Sequence, residues 1–383
     1  MIPRILRHTI LSHLKESRKV LLLFGARQVG KTTLLKLLIK PDSTSTLWIN
    51  ADQVKYHEAL SGRDLLKIRE VIGDHSLVVI DECQNIPDIG MNLKIIYDEM
   101  PDVKLIATGS SSLDLAQAAK EPLTGRAISY NLFPVSVQEL LLSNTVFQVK
   151  SELPQYLLYG MYPEILTIRG AENKKKHLRE LVSSYLYKDV LMLSNIRHSD
   201  KIHKLLQLLA YQTGNLVSVH ELGKTLGMSH DTVATYIDLL EKGFIIQRLS
   251  GLSKNPRKEV SKMDKIYFTD VGIRNALIED FNSIDIRSDV GHLWENFLIM
   301  ERLKYRHYNH IHGKVWFWRT YSGAELDLVE QRDGKFFGFE IKWKKSKSRP
   351  PEKWLKGYRK SSYEVIDKEN FVYFVSDKQM IEE

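Results

Sequence analysis

KVLLLFGARQVGKTTLL (residues 19–35) decides how the rest of the chain is read. Its apolar residues Val20 to Leu23 have the character of a buried parallel strand. They run directly into Gly25-Ala26-Arg27-Gln28-Val29-Gly30-Lys31-Thr32, which matches G-x-x-x-x-G-K-[ST] at every required position. Glycines let successive backbone N–H groups converge on phosphate oxygens, the helix beginning near Lys31 turns its positive end toward the anion, and the Lys31 ammonium reaches the outer phosphates. Thr32 offers a hydroxyl to Mg²⁺, and the cofactor-binding stretch runs on into Thr33. The expected ligands are ATP and Mg²⁺.

About 50 residues further on, SLVVIDECQ (76–84) carries an apolar run, Leu77 to Ile80, that ends in Asp81-Glu82. At a strand tip Asp81 suits the Mg²⁺ shell, and Glu82 beside it suits orientation and deprotonation of an attacking water. VKLIATGSS (103–111) is a further strand ending in small polar residues. Thr108 and Ser110 are candidates there for contact with the γ-phosphate or the water, and an ordinary strand-to-turn transition reads as well. In LTGRAISYNLFPVSVQEL (123–140), Arg126 follows a glycine. It is read either as a stabiliser of charge on the transferred phosphoryl group, in its own chain or a neighbour's, or as a surface arginine.

With 383 residues, 43% of them hydrophobic and 27% charged, the chain has room for roughly two to four ordinary globular domains. The longest apolar runs, around Val20 to Phe24 and Leu77 to Ile80, are too short to cross a bilayer, so no membrane partner is expected. The opening MIPRILRHTILSHLKESRK places Ile2, Ile5, Leu6, Ile10, Leu11 and Leu14 at helical spacing and leads straight into the first strand. That favours a packed helix over a targeting sequence. One cysteine, Cys83, leaves no intrachain disulfide and suits a reducing cytoplasm. The net charge is +8, and residues 341–360, with nine Lys or Arg and one acid, account for +8 by themselves, so the basic character is local.

Taken in order, GARQVGKTTLL, VVIDECQ, LIATGSSSL and LTGRAISYNLFPVSVQEL resemble the AAA-type ATPases of bacteria and archaea that are fused to a C-terminal region of unknown function. YGMYPEIL (159–166), YLYKDVLMLSNI (185–196) and KIYFTDVGIRNAL (265–277) resemble later signatures of that family, so the likeness covers nearly the whole chain. The resemblance implies an ATPase core. It does not extend to ring assembly, because a second arginine motif of the hexameric lid type is not evident, and the oligomeric state stays open.

From about residue 153 to 209 the pattern is helical, with Leu178, Leu181, Val182, Tyr185 and Leu186 on one face, as in a lid and connector. SVHELGKTLGMSHDTVATYIDLLEKGFIIQRL (218–249) then reads as a helix-turn-helix and wing: a first helix ends near Gly227, Ser229 caps a second, and Gly243 terminates it. The exposed front of that second helix offers His230, Asp231, Thr232 and Thr235 and no arginine. This is poor equipment for reading bases, and a protein partner competes with DNA there. The basic SKNPRKEVSKMDK that follows suits backbone contact.

The last hundred residues read as helix (291–304), strands (315–319, 324–330 and 335–343), helix (351–360) and strand FVYFVS (371–376). That αβββαβ series resembles the PD-(D/E)XK restriction-endonuclease-like fold. Glu340 and Lys342 share one face of their strand, so a metal-binding carboxylate lies beside an ammonium able to activate water. Asp327 on the adjacent strand completes the metal set, and Glu295 on the preceding helix adds a further ligand. The proline of the family's name is replaced by Ala324-Glu325-Leu326 before Asp327. A fold retained for binding alone stands beside a working nuclease.

The fold class expected is α/β: a phosphate-loop NTPase parallel sheet with helical lid, then a winged helix and an α/β restriction-endonuclease-like domain. The boundaries are 1–150 for the ATPase core, 151–209 for the connector, 210–280 for the winged helix and 285–383 for the nuclease-like domain. The expected function is Mg²⁺-dependent ATP hydrolysis coupled to nucleic acid, DNA ahead of RNA, with cleavage left open. The alternative is an ATP-driven switch whose later modules bind a partner without cutting. A kinase is a third reading, which the acid pair Asp81-Glu82 disfavours.

Overall fold

The computed structural model describes residues 2–40, 43–110, 122–192, 199–253, 263–358 and 360–377, with side chains of 184–199 left aside. The first helix (Leu6–Glu16) leads into β1 (Val20–Phe24), and β2 (Thr46–Asn50), β3 (Leu77–Asp81), β4 (Lys104–Gly109) and β5 (Ala127–Asn131) complete a parallel sheet. The order is β2-β3-β4-β1-β5. A parallel sheet covered by helices on both faces needs apolar residues at every position of its central strands, and all five residues of β1 are buried. Leu21 and Leu23 enter one core with Ile10 and Leu35, whereas Val20, Leu22 and Phe24 enter another with Ile68 and Leu93. Because the strands are parallel, their C-terminal ends share one edge, where the loop after β1 meets the tip of β3.

The connector is helical, as expected, and Leu178, Leu181 and Val182 are buried. Tyr185 and Leu186 lie outside the described side chains, as does most of the basic stretch after Ser253. In the middle module the helix Ser199–Tyr211 is followed by β6 (Leu216–Val217), the helices Val219–Leu226 and His230–Lys242, β7 (Ile246–Leu249) and β8 (Asp264–Phe268), in sheet order β6-β8-β7. Gly227 ends the first of the paired helices in the left-handed conformation. The Ser229 hydroxyl caps the second by accepting from Thr232 N.

The C-terminal module contains the long helix Val290–Tyr308, β9 (Val315–Arg319), β10 (Glu325–Arg332), β11 (Lys335–Ile341), the helix Glu352–Gly357 and β12 (Ser361–Ile366), in sheet order β12-β11-β10-β9. The strand expected at FVYFVS is instead the helix Phe371–Val375. The place beside β11 is taken by Ser361–Ile366, in parallel register from Phe336↔Ser361. Phe371, Val372, Phe374 and Val375 then present the i, i+1, i+3, i+4 spacing that a helix buries on one side.

The long helix also docks on the first domain. Tyr308 OH accepts from Phe133 N at 3.2 Å, His307 Nε2 accepts from Asn131 N at 3.2 Å, and the Glu301 carboxylate accepts from Val137 N at 2.6 Å. One continuous core runs from Leu21 to Val375. Among the described residues no helix is long and apolar enough to cross a membrane.

Candidate functional site

The loop after β1 is shaped by two glycines. At Gly25, φ is +152° and an added Cβ would fall 2.2 Å from Leu132 O, so no side chain fits; Gly30, with φ +97°, caps the helix Lys31–Leu38 in the left-handed region. Lys31 is buried, and its ammonium donates to Gly25 O at 2.8 Å and Ala26 O at 3.1 Å. The Thr32 hydroxyl donates to Asp81 Oδ2 at 2.8 Å. Because β4 lies between β3 and β1, Thr108 reaches Asp81 as well: its hydroxyl donates to Asp81 Oδ1 and accepts from Glu82 N at 3.1 Å. Glu82 itself is held at φ +54°, a conformation that non-glycine residues adopt rarely and at a cost. Gln84 Nε2 donates to Glu82 Oε2 at 2.6 Å and to Ser110 Oγ at 3.2 Å. A cavity of about 570 Å³ opens over this arrangement, with Thr33, Leu37, Glu82, Pro163 and Thr167 in its wall. Thr32 and Asp81 supply hard oxygen donors of the kind Mg²⁺ takes together with phosphate oxygens and water, so these residues fit that ion.

Arg4 ties the loop to the rest of the fold. Its guanidinium donates to Val29 O at 2.7 Å, to Phe133 O and to Glu139 Oε1 at 3.0 Å. Burial opposes its charge, and the Glu139 carboxylate overcomes that penalty, leaving the Arg4 pKa raised. Cys83 lies in the core, where burial and then the neighbouring Glu82 and Asp81 push its thiol well up, as befits an inert residue.

The C-terminal module brings Glu295, Asp327, Glu340 and Lys342 to a second cavity, of about 450 Å³. Asp327 Oδ2 accepts from Ile341 N at 2.7 Å. Glu340 is fully engaged, with Oε1 paired to Lys342 at 2.9 Å and Oε2 accepting from Ser348 Oγ at 2.9 Å and Tyr363 OH at 2.5 Å. Glu295 Oε1 accepts from Tyr267 OH at 2.6 Å and from the Lys265 ammonium at 3.1 Å. Burial and then the Glu295 carboxylate raise the Asp327 pKa. Among the described residues no group of three or more His, Cys, Asp or Glu side chains is arranged to hold a metal ion.

Comparison with known proteins divides the chain in three. Residues 17–141 match a family model described as an AAA domain, 150–283 a domain of unknown function (DUF8612) and 290–383 another domain of unknown function (DUF4143). Residues 17–141 therefore resemble an AAA domain, and the two later regions match families of unknown function. An uncharacterised protein of Mycobacterium tuberculosis is 29% identical over 332 residues, covering 84% of this chain and 70% of that one. An uncharacterised protein of Methanocaldococcus jannaschii is 26% identical over 301 residues, 68% of this chain and 63% of its own length. The Walker-type ATPase of Pyrococcus abyssi superposes with a TM-score of 0.51 at 16% identity, over 71% of this chain and 94% of that one, a likeness of fold.

The structure separates one expected residue from the phosphate loop. Arg126 O accepts from Val20 N, so Arg126 lies at the N-terminal end of β1, roughly 16 Å along the strand from the loop. Its guanidinium pairs with Asp98 at 2.8 Å. The reading of Arg126 as a finger for its own chain's nucleotide is therefore corrected. Two residues that local pattern did not single out are brought in. Gln84 follows the acid pair at a spacing that returns its amide to Glu82, and Arg4 stands out in hindsight as a cation within an apolar N-terminal stretch. The later family signatures meet one another: Asp270 Oδ2 accepts from Met161 N at 2.7 Å, Asn275 Nδ2 donates to Leu157 O and Leu158 O at 2.9 Å, and a Cβ on Gly272 would lie 2.1 Å from Tyr159 O. They join the connector to the middle module.

Proposed function

We propose that this protein binds ATP with Mg²⁺ and hydrolyses it, and that turnover is coupled to binding of a polyanion, DNA in the first instance, at the C-terminal module. The observation that carries hydrolysis is the linked set Thr32, Asp81, Thr108, Glu82 and Gln84 at one sheet edge beside the Lys31 loop. Lys31 and the loop N–H groups bind the phosphates, and Thr32 and Asp81 hold Mg²⁺, which supplies charge neutralisation on the phosphate oxygens. Glu82 takes a proton from the attacking water, with Gln84 fixing its carboxylate. A carboxylate there suits water as acceptor, which sets the kinase reading aside.

Coupling to DNA is supported by the exposure of Lys344, Lys345, Lys347, Arg349, Lys353, Lys356 and Lys360, a basic run in which Arg349 lines the second cavity. In this reading the middle module is a winged helix that docks a partner rather than reading bases. Binding without cutting is favoured over cleavage by Glu340, both of whose oxygens are engaged. The test is phosphate release from ATP and Mg²⁺ with and without double-stranded DNA. Stimulation lost in Lys31→Ala is expected; turnover indifferent to DNA at any length and salt concentration leaves only the switch acting on a protein partner.

A further inference from the structure

Lys265 lies on β8 of the middle module, not in the C-terminal module, yet its ammonium is inserted among the acids of the second cavity. It lies 2.5 Å from Glu325 Oε1, 3.1 Å from Glu295 Oε1 and 3.9 Å from Asp327 Oδ1, and its side chain is 2% exposed. Two of these three acids belong to the set that a nuclease-like fold would use for a divalent ion. An ammonium at this point and a dication compete for the same oxygens. Carboxylates brought together out of water favour a cation among them, which offsets both their desolvation and their mutual repulsion. Lys265 supplies that cation from within the chain, so the residues present do not fit a resident metal. The protein's own donors add to this: Asp327 Oδ2 accepts from Ile341 N, and Glu295 Oε1 accepts from Tyr267 OH as well as from the Lys265 ammonium.

We propose that Lys265 is the resident cation of this carboxylate cluster, standing where a divalent ion would otherwise sit and locking the middle module to the C-terminal one. The cluster holds no Mg²⁺ or Mn²⁺ while the two modules are docked. The lock is also positioned to follow events at the nucleotide site, since β8 leads through Thr269 to Asp270, which holds Met161 of the segment whose Pro163 lines the nucleotide cavity. The assignment stands apart from ATP hydrolysis and survives if that reading fails.

The test uses full-length protein without nucleotide, titrated with Mn²⁺ and followed by electron paramagnetic resonance, with thermal unfolding measured in parallel. Wild type is expected to bind no Mn²⁺ that depends on Asp327, and any change of its Tm with Mn²⁺ should be the same in Asp327→Ala. Lys265→Met should lower Tm, gain one Mn²⁺ site that Asp327→Ala abolishes, and recover Tm as Mn²⁺ is added, because a ligand that binds only the folded state stabilises it. Lys265→Arg should keep the cluster closed to Mn²⁺. Should Lys265→Met fail to fold, Lys265→Met with Glu325→Gln removes the nearest acid along with the ammonium and is judged by the same readouts. An Asp327-dependent Mn²⁺ site in wild type, or a folded variant lacking the ammonium that gains neither Mn²⁺ nor Tm, overturns the assignment.

Discussion

Replacing Arg4 by methionine keeps the stem of the side chain and deletes the charge that three acceptors share. Arg4 and Glu139 have side chains 8% and 0% exposed, so the substitution strands a carboxylate in the core. Removing one member of a buried ion pair costs about 3–5 kcal/mol. Glu139 retains backbone donors from Ile5 N at 3.1 Å and Ser136 N at 3.0 Å, which places the expected loss at the lower end, about 3 kcal/mol. Glu139→Gln in the same background should return part of that loss, with a coupling energy of roughly 1–3 kcal/mol. A second effect is functional, because Val29 O belongs to the phosphate loop. Losing one hydrogen bond that restrains the loop, worth about 1 kcal/mol, should weaken binding of a fluorescent ATP analogue roughly fivefold. Urea unfolding of the four proteins in the double-mutant cycle, with and without ADP, gives both numbers. A loss below about 1 kcal/mol at unchanged m-value, or strictly additive single effects, would refute the reasoning.

Four further outcomes can be checked. Lys31→Ala should abolish nucleotide binding, whereas Glu82→Gln should bind ATP and hydrolyse it about 10²–10⁴-fold more slowly, read by single-turnover phosphate release. Neutralising the lysines between Lys344 and Lys360 should weaken DNA binding and flatten the dependence of log K on log salt, and an unchanged slope would show that this segment faces no phosphates. Burial and then His310 lower the His307 pKa from 6.5 to about 4, and its neutral ring accepts from Asn131 N. A histidine depressed in the fold contributes stability fully above pH 6.5 that is lost as pH falls toward 4, by up to about 3 kcal/mol. His307→Phe should remove that acid dependence in unfolding measured across pH 4 to 7. Arg126→Ala should leave ATP affinity unchanged in dilute protein, since its partner is Asp98 at the opposite end of the sheet from the phosphate loop.

The nucleotide site was legible wherever its chemistry is contiguous. The loop from Gly25 to Thr32 and the pair Asp81-Glu82 each occupy one strand end, so strand, turn and helix start are encoded within a few residues of one another. The acceptor geometry was not legible. Thr108 touches Asp81 only because β4 is inserted between β3 and β1, and Ser110 reaches Glu82 only through Gln84. The apolar run FVYFVS could be read as strand or helix, and which it became depended on SSYEVI occupying the slot beside β11.

By itself, then, the amino-acid sequence determined the elements whose cause is local: the left-handed glycines of the loop, the caps at Ser229 and Gly227, the buried run of β1 and the E-x-K strand. Tertiary structure decided which of those elements share a site. Arg126 is carried to the far edge by the direction of β5, and Arg4 is carried to the loop across 135 residues to its partner Glu139. Lys265 enters a carboxylate cluster formed by residues 30 and more positions away. The physical reason is that charge pairing and close packing act through space, whereas hydrophobic periodicity and capping act along the chain, so only the second kind leaves its mark in neighbouring letters.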